Sequence, residues 1–500
     1  MNLPAVRWLL GCLVLLLAGI QLVPACVSAY YGEPLVFRGF MLSAVIAGVL
    51  GAGLVLVNRR ALRGGNGRPA FFRREGLAVV GLAWLLASAV GALPFLLCGT
   101  TSSIVDALFE SASGFTTTGA SILTPSEIDG LPFGIAFWRC LTHWVGGIGI
   151  VVVFVTIFPA GGRSLFRPEG NREVDAARVR DSAFALLGVY VTLTVLHALA
   201  LWLAGLSSFD AVLHSFSSMG TGGFSNRGAS IGYYRSPLVE VICIIFMIAA
   251  GTNFVIWGAV WRRGPIRSLT QAWASTELRL YLLLLGGGSI LLSFVLWFWG
   301  GSNGAAGSEL PDYSRFLSCL RDATFSLVSI QTSTGFATTD FDRWPDVCRF
   351  LLMVGAFIGA CAGSTGGGIK VFRLAIAVRA SLSAVKSFAR PRAIVQVAMD
   401  GRPLEGEAVA STTTYLALWI LAALLGSFAL SLFGVDLPTA ITGVLCCLNN
   451  VGPGLAGVGP AADYGYLDAA SKLVLCLLMI LGRLEFYALV ALTFRGFWSK

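Results

Sequence analysis

Charged residues are scarce in this sequence. Only 12% of its 500 residues are charged, whereas soluble proteins carry about 25%. So little charge excludes an ordinary soluble domain, because most of the folded surface must then face something apolar. A net charge of +9 could indicate a nucleic-acid partner, but the basic residues cluster in loops between apolar segments. The composition predicts a protein that spans a lipid bilayer and binds no nucleic acid.

Residues that carry chemistry are also few. The eleven cysteines form no CxxC pair, and the three histidines, His143, His197 and His214, are scattered. Neither residue type shows the spacing of a zinc site. No nucleophile has a recognisable base and orienting group, and clusters of His, Asp or Glu inside the apolar spans are absent. We therefore expect no resident metal centre, no organic cofactor and no enzymatic activity.

Long apolar segments, in contrast, are abundant. Each supplies the roughly 20 residues that a helix needs to cross a bilayer. The first resembles a signal peptide, but its apolar run exceeds the roughly 7–15 residues of such a region and has no clear cleavage site, so we expect a retained helix. The segments lie near 6–27, 36–58, 75–98, 134–160, 182–206, 236–261, 279–300, 346–380, 408–433 and 470–496.

Four shorter stretches share one plan. Each begins with Asp-Ala or Thr-Ala and reaches a glycine 13 residues later. Eleven helical residues measure about 17 Å, roughly half of a 30 Å hydrocarbon core, so each stretch must enter the membrane and return. Irregular backbone at that depth must be buried in protein or line a water-filled cavity, and four loops around one axis meet this condition together. The stretches are Asp106–Gly119, Asp210–Gly223, Asp322–Gly335 and Thr439–Gly452.

The last four residues of each stretch are the candidate ion-binding residues. A ring of backbone carbonyls can replace the hydration shell of K⁺, and carbonyls aimed at one axis need backbone dihedrals that a Cβ opposes. The C-terminal end of each half-helix adds negative potential there. We interpret Asp106, Asp210, Asp322 and Thr439 as the N-caps of these half-helices. The candidates are Thr116, Thr117, Thr118 and Gly119; Gly220, Thr221, Gly222 and Gly223; Thr332, Ser333, Thr334 and Gly335; and Asn449, Asn450, Val451 and Gly452.

The order of segments predicts an internal repeat. A helix, a half-length loop and a second helix follow one another four times behind a two-helix leader. The predicted fold is an all-α integral membrane protein with four helix–re-entrant loop–helix repeats around one central pore. The predicted divisions are a leading helix pair at 1–70 and pore repeats at 71–165, 178–265, 275–385 and 405–500.

The third repeat carries an interruption in its second helix. Three consecutive glycines cannot make a good helix, since each costs about 1 kcal/mol relative to alanine. The run is not a P-loop, because Ile369 separates its last glycine from Lys370. We interpret it as a mobile gate on the cytoplasmic side of the ion-binding loops. Its candidate residues are Gly363, Ser364, Thr365, Gly366, Gly367, Gly368 and Lys370.

Arg483 is the second candidate gate element. It lies 13 residues into the last apolar segment, about 20 Å along a helix. A buried arginine is expensive and faces partner groups or water. Its expected partners are the freed carbonyls of 363–368 or the carboxylate of Glu485. For Arg139, His143 and the glycines at 146–149 we favour close helix packing over an ion-handling role.

Lys and Arg set the expected orientation. The loops 59–74, 161–181, 262–279 and 370–402, with the two chain ends, hold 25 of the 35 basic residues. By the positive-inside rule these loops and both termini are cytoplasmic. The opposite face carries an acidic excess that favours cations.

These motifs resemble the Trk/Ktr/HKT superfamily of potassium transporters, most closely its TrkH-type bacterial branch, over nearly the whole chain. The motifs are GFTTTGAS at 114–121, GTGGFS at 220–225, TSTGFAT at 332–338, NNVGPG at 449–454, GGIGIVV at 146–152 and GSTGGGIKVFR at 363–373. The resemblance implies K⁺ uptake through a filter formed by the four loops, a gate at 363–368, and a barrier role for Arg483. It further implies a homodimer in the bacterial inner membrane and a cytoplasmic RCK-domain partner that senses nucleotides. One departure is Gly220, where the family often has Ser.

Two alternatives stay open at this point. One is a Na⁺-permeable or Na⁺/H⁺-coupled member of the same superfamily. The other is an alternating-access carrier of small solutes, a class that also uses broken helices near the midplane but typically in symmetry-related pairs. Four breaks with one direction favour a pore.

Overall fold

The protein is almost wholly helical. The computed structural model describes residues 1–58, 73–157, 176–300, 313–390 and 396–498, so the basic loops expected at 59–74 and 161–181 lie largely outside the described residues. Six described helices are long and apolar enough to cross a bilayer, and two further spans are bent pairs of helices. The predicted all-α membrane fold is confirmed.

The helices follow the predicted order. The leading pair is Leu3–Tyr30 and Pro34–Asn58. The first helices of the four repeats are Arg73–Leu97, Ala176–Leu203, Thr276–Gly300 and Gly406–Leu432. The half-helices are Ile104–Phe115, Ser208–Gly220, Phe316–Gln331 and Leu437–Leu448. The second helices are Phe133–Ile157, Pro237–Ala250 with Phe254–Arg263, Asp346–Ile358 with Val371–Ala389, and Ala469–Arg483 with Tyr487–Thr493.

Short elements complete the described chain. The short α-helices are Pro125–Asp129, Pro265–Trp273 and Arg495–Trp498. Single 3₁₀ turns lie at Ser230–Tyr234, Phe341–Arg343 and Ala456–Val458. Two antiparallel strands, Ala398–Met399 and Arg402–Pro403, pair Ala398 with Pro403.

The half-helices begin earlier than the sequence predicted. The structure places their N-caps three residues before the expected ones in three repeats, so the assignment of Asp106, Asp210 and Thr439 as N-caps is wrong. For Asp106 and Asp210 the error has a physical reason, because an acidic residue is also favoured in the first turn, where it faces the positive end of the helix dipole. The cap side chains of Ser103, Ser207 and Asp436 accept hydrogen bonds from the backbone N–H groups of Asp106, Asp210 and Thr439 at 3.2, 3.0 and 3.2 Å.

The third half-helix differs from the others. It starts at Phe316, six residues before Asp322, so the cap assigned to Asp322 is wrong as well. Within the described chain, Arg315 at its N-cap makes no side-chain capping hydrogen bond. This half-helix has 16 residues, against 12 or 13 in the other repeats.

Three second helices are broken where one break was predicted. The segment 236–261 turns through 94° at 251–253, and the segment 470–496 turns through 117° at 484–486. The first break is stabilised by Asn253, whose side chain caps the next helix by accepting from Val255 N at 2.9 Å. At the second break Glu485 and Phe486 are left-handed, with φ of 52° and 68°. The predicted interruption at 363–368 extends over the whole stretch between Ile358 and Val371.

The half-helices occupy the centre of the molecule. Residues Phe109 to Phe115 of the first are all buried. The long helices instead expose large apolar side chains, for example Leu16 at 60% and Val49 at 68%. Apolar exposure on this scale fits contact with lipid rather than water. The chain therefore buries its polar loops inside and turns its apolar helices outward.

Candidate functional site

Each half-helix ends in the same hydrogen-bonded turn. In the first repeat, Thr117 N donates to Gly114 O at 3.0 Å and Thr118 N donates to Ser113 O at 2.9 Å. These two bonds form a Schellman motif, in which the residue after the helix is left-handed. The same pair of bonds occurs at residues 221 and 222, 333 and 334, and 450 and 451. Four stretches that look alike in sequence thus share one backbone geometry.

The left-handed residue of this turn is never glycine. Thr117, Thr221, Ser333 and Asn450 have φ of 54°, 53°, 58° and 54°, and all four are buried. A left-handed backbone is rare for residues with a side chain, above all for β-branched threonine. Such strain costs about 1–3 kcal/mol and persists only where the surroundings impose it. Sequence reasoning assigned the unusual backbone to the terminal glycines and missed this position, although a small polar residue two places before each glycine marks it.

The terminal glycines meet in a closed ring. Each lies close against the next loop, so that an added Cβ would collide with its backbone at three of the glycines and meet it in a tight contact at Gly335. A Cβ on Gly119, Gly223, Gly335 or Gly452 would lie 1.9, 2.1, 3.2 or 2.7 Å from a backbone atom of Gly222, Thr334, Gly452 or Gly119, respectively. Loop 1 (residues 116–119) therefore touches loop 2 (220–223), loop 2 touches loop 3 (332–335), loop 3 touches loop 4 (449–452), and loop 4 touches loop 1. The four loops surround one axis, as the sequence predicted.

Loops 1 and 3 carry matching hydroxyl pairs. Thr116 Oγ1 and Thr118 Oγ1 lie 2.8 Å apart, and Thr332 Oγ1 and Thr334 Oγ1 lie 2.8 Å apart. Loop 4 joins this network where Asn450 Nδ2 donates to Thr118 Oγ1 at 3.1 Å. Two opposite loops are therefore more alike than two adjacent ones.

In loop 2 the side chain of His143 occupies the space next to the backbone where loops 1 and 3 carry their second hydroxyl. A Cβ on Gly222 would lie 2.4 Å from the His143 ring, and one on Gly220 would lie 2.5 Å from His143 O. The departure at Gly220 thus has a steric reason in this chain, because a serine there would meet the second helix of repeat 1. Packing, the interpretation favoured for His143, agrees with this geometry.

A buried ion pair fastens loops 1 and 2 behind the ring. Arg139 Nε donates to Glu110 Oε1 at 2.7 Å, and both side chains are 1% exposed. The same guanidinium donates to Ser121 Oγ, beyond Gly119, and to Ser225 O, beyond Gly223, both at 3.1 Å. It also lies 4.2 Å from the ring centre of Phe224. Arg139 thus does more than the helix packing favoured from sequence, since it ties together the outgoing strands of two loops.

The interrupted stretch of repeat 3 lies directly against the loops. Gly367 N donates to Ser333 Oγ at 2.6 Å, and a Cβ on Gly367 would lie 2.2 Å from Asn449 O. It also contacts the break in repeat 2, where Phe254 N donates to Gly363 O at 3.0 Å. The glycine run can approach this closely because it has no side chains. Its position links two of the loops to a bent helix of a third repeat.

Arg483 joins this stretch to repeat 1. It is 2% exposed, and its guanidinium donates to Thr365 O at 2.7 Å and to Gly146 O at 3.3 Å. The hydrogen bond predicted between Arg483 and a freed carbonyl of 363–368 is the one to Thr365 O. The alternative partner, Glu485, is wrong, because that carboxylate instead pairs with Arg373. The bend after Arg483 turns Glu485 toward the helix that begins at Val371.

Lys370 closes the same stretch. Its Nζ donates to Gly366 O, four residues earlier, so the side chain folds back over the glycine run. The Val371 backbone N–H donates to Ala360 O at 3.1 Å. The second bond joins the two ends of the interruption, which is therefore a compact loop rather than an extended linker.

Two residues that sequence reasoning missed support loop 4. Trp419 Nε1 donates to Asn449 Oδ1 at 3.0 Å, and Tyr464 Oη donates to Gly452 O at 2.9 Å. Trp419 lies on the first helix of repeat 4 and Tyr464 in the connection after the loop. Neither carries a motif, so no sequence signal marks them.

Comparisons with known proteins agree with this architecture. The family model of the cation transport protein TrkH matches residues 68–497. The Trk system potassium uptake protein TrkH of Halomonas elongata is 35% identical, and that of Escherichia coli K12 is 34% identical, each over 100% of both chains. The crystal structure of the potassium transporter TrkH from Vibrio parahaemolyticus superimposes with a TM-score of 0.88 at 31% identity, covering 100% of both chains. With its four loops closed into one ring, the chain belongs to the TrkH family of cation transport proteins.

Proposed function

We propose that this protein takes up potassium ions across a membrane through the ring of four loops. The observation that carries the proposal is the closure of that ring, in which one strained backbone turn occurs four times around one axis. Carbonyl rings of this kind can strip and hold a K⁺ ion. The relatives named potassium uptake proteins match over their full length. Transport is a passage of ions, with no covalent step.

The ion-binding residues are the four turns and their glycines. They comprise residues 116–119, 220–223, 332–335 and 449–452. The C-terminal ends of four half-helices converge on them and add negative potential. Potassium is the transported substrate at these positions and needs no organic cofactor.

Residues 363–368, Lys370 and Arg483 form the gate. The glycine run lies against loops 3 and 4, and Arg483 ties it to repeat 1. A positive charge next to the loops opposes the exit of a cation. Opening requires residues 363–368 to break their hydrogen bonds to Ser333 and Arg483 at the same time. The bend at 251–253, which is hydrogen-bonded to the same stretch, moves with it.

The protein functions as a multi-pass protein of the bacterial inner membrane with both termini in the cytoplasm. The basic loops support this orientation. We assign a homodimer and a cytoplasmic RCK-domain nucleotide-binding partner by resemblance to the family. The functional units are the leading pair at 1–70 and the repeats at 71–165, 178–265, 275–385 and 405–500.

Uptake of ⁸⁶Rb⁺ by cells without their own potassium uptake systems tests the proposal. The unaltered chain should restore growth at low potassium and Rb⁺ uptake. Gly335→Asp and Gly223→Asp should each abolish both, because a Cβ at either position meets the neighbouring loop. Membrane levels of each variant serve as the control. Unchanged uptake in both variants at normal levels would overturn the assignment of the ring as the ion path.

A further inference from the structure

The fourth loop breaks the symmetry of the ring at its glycine. Gly119, Gly223 and Gly335 are left-handed, with φ of 81°, 78° and 80°. Gly452 is not among the residues with positive φ, although the residue two places before it repeats the turn of the other loops. The backbone at Gly452 therefore has a different conformation from the other three, and φ is one of the two angles that direct the carbonyl of a residue.

The hydrogen bonding differs at the same place. Gly452 O accepts a hydrogen bond from the Tyr464 hydroxyl at 2.9 Å. Within the described residues, no group donates to the carbonyls of Gly119, Gly223 or Gly335. Two independent observations, backbone conformation and hydrogen bonding, thus single out one glycine of four.

Tyr464 is held firmly in this position. Its side chain is buried at 3% exposure, and its ring lies 5.4 Å from that of Phe109 on the first half-helix. Its backbone N–H donates to Ser121 O at 2.8 Å. Lys472 fixes the next residue by donating to Gly465 O at 2.8 Å while pairing with Asp106 at 2.6 Å. The Tyr464 hydroxyl is therefore a donor held in a fixed position where loop 4 contacts repeat 1.

We propose that Tyr464 is a positioning residue that withholds the Gly452 carbonyl from the permeating cation. The glycine level of the ring then offers three unshared carbonyls and one that is engaged by a phenol. This inference rests on the proposed function, which it refines by removing the Gly452 carbonyl from the ion-binding groups, and it adds a residue that sets how tightly the ring holds its ion.

The direction of the effect follows from competition for one oxygen. A carbonyl that accepts from a hydroxyl has less electron density to offer a cation, and it is oriented toward the donor. Without the Tyr464 hydroxyl, the buried Gly452 carbonyl loses its donor, and in the proposed ring the permeating cation is the group that it can bind instead. Tighter binding also slows release, because conduction needs sites from which the ion can leave.

Tyr464→Phe is the test, since it removes one oxygen atom and leaves the ring. The expected result in ⁸⁶Rb⁺ uptake is a KM lowered about fivefold, the factor that one neutral hydrogen bond typically carries. The maximal rate per transporter in the membrane should not rise. Tyr466→Phe is the matched control, because it makes the same change two residues away, where the hydroxyl lies against Gly457 rather than the ring. Its KM should equal that of the unaltered protein.

Each outcome decides the inference. A KM that is unchanged in Tyr464→Phe shows that the hydroxyl does not compete with the ion, and a raised KM shows that it aims the carbonyl at the ion; either overturns the inference. If Tyr464→Phe reaches the membrane poorly, the K⁺ concentration for half-maximal thermal stabilisation of purified protein gives the same comparison, again with a fivefold decrease expected. A failure of the unaltered chain to take up Rb⁺ would overturn the proposed function itself. Normal uptake with equal KM in both variants would overturn this inference alone.

Discussion

At Arg483 a single guanidinium holds together two elements from different repeats. Its nitrogens reach Thr365 O on the interrupted stretch and Gly146 O on the second helix of repeat 1. Thr365 lies in the interruption between two helices, where no helix supplies a donor to its carbonyl, and a buried carbonyl left unpaired there would be costly. The side chain thus holds the interrupted stretch to repeat 1, and in the proposed gate it is also the charge next to the ion path.

Removal of this side chain should loosen the gate. We expect Arg483→Ala to raise basal Rb⁺ uptake by about ten- to a hundredfold, because hydrogen bonds to a charged group contribute about 1.5–3 kcal/mol and their loss shifts a closed population accordingly. Arg483→Lys keeps the charge but cannot span both carbonyls, so it should give an intermediate rate. Uptake is measured without a regulatory partner and normalised to membrane levels. An unaltered or lower rate in a folded Arg483→Ala protein would contradict this gate role of Arg483.

At the scale of elements, some features of the half-helices could be predicted from the sequence and others could not. Their number and the loops in which they end were predictable, because the polar-to-glycine plan is local and occurs four times. Their caps were not, because Asp in the first turn satisfies the same preference as Asp at the cap. The bends at 251–253 and 484–486 were missed because neither contains a proline or a glycine run.

The caps give a quantitative prediction. Ser103→Ala removes the acceptor for Asp106 N and should lower the stability of the protein by about 1 kcal/mol. Arg315→Ala is the matched control, since the structure gives that N-cap no side-chain hydrogen bond in the described chain. Thermal unfolding of detergent-solubilised protein measures both. Equal midpoints for the two variants would show that Ser103 does not cap the first half-helix.

At the scale of the whole molecule, the contacts between repeats could not be predicted from the sequence. Asn450 reaches Thr118 across 332 positions and Lys472 reaches Asp106 across 366, and no local pattern encodes such pairs. The overall arrangement was still predictable, because apolar segments must span and polar loops must be buried. The sequence also predicted an orientation, and the cysteines provide a way to measure it.

Among the eleven cysteines, all of which are described, Cys26 alone is exposed. It lies near the end of the leading helix Leu3–Tyr30, and with a cytoplasmic N-terminus this end reaches the outer face. A membrane-impermeant maleimide added to intact spheroplasts should therefore label the unaltered protein and leave Cys26→Ser unlabelled. In the Cys26→Ser background, a cysteine introduced by Arg390→Cys, on an exposed residue after the helix Val371–Ala389, should react only after the membrane is opened. Labelling of Arg390→Cys in closed spheroplasts would show that the true topology is the inverse of the predicted one. The acidic face would then lie on the side where potassium leaves the ring.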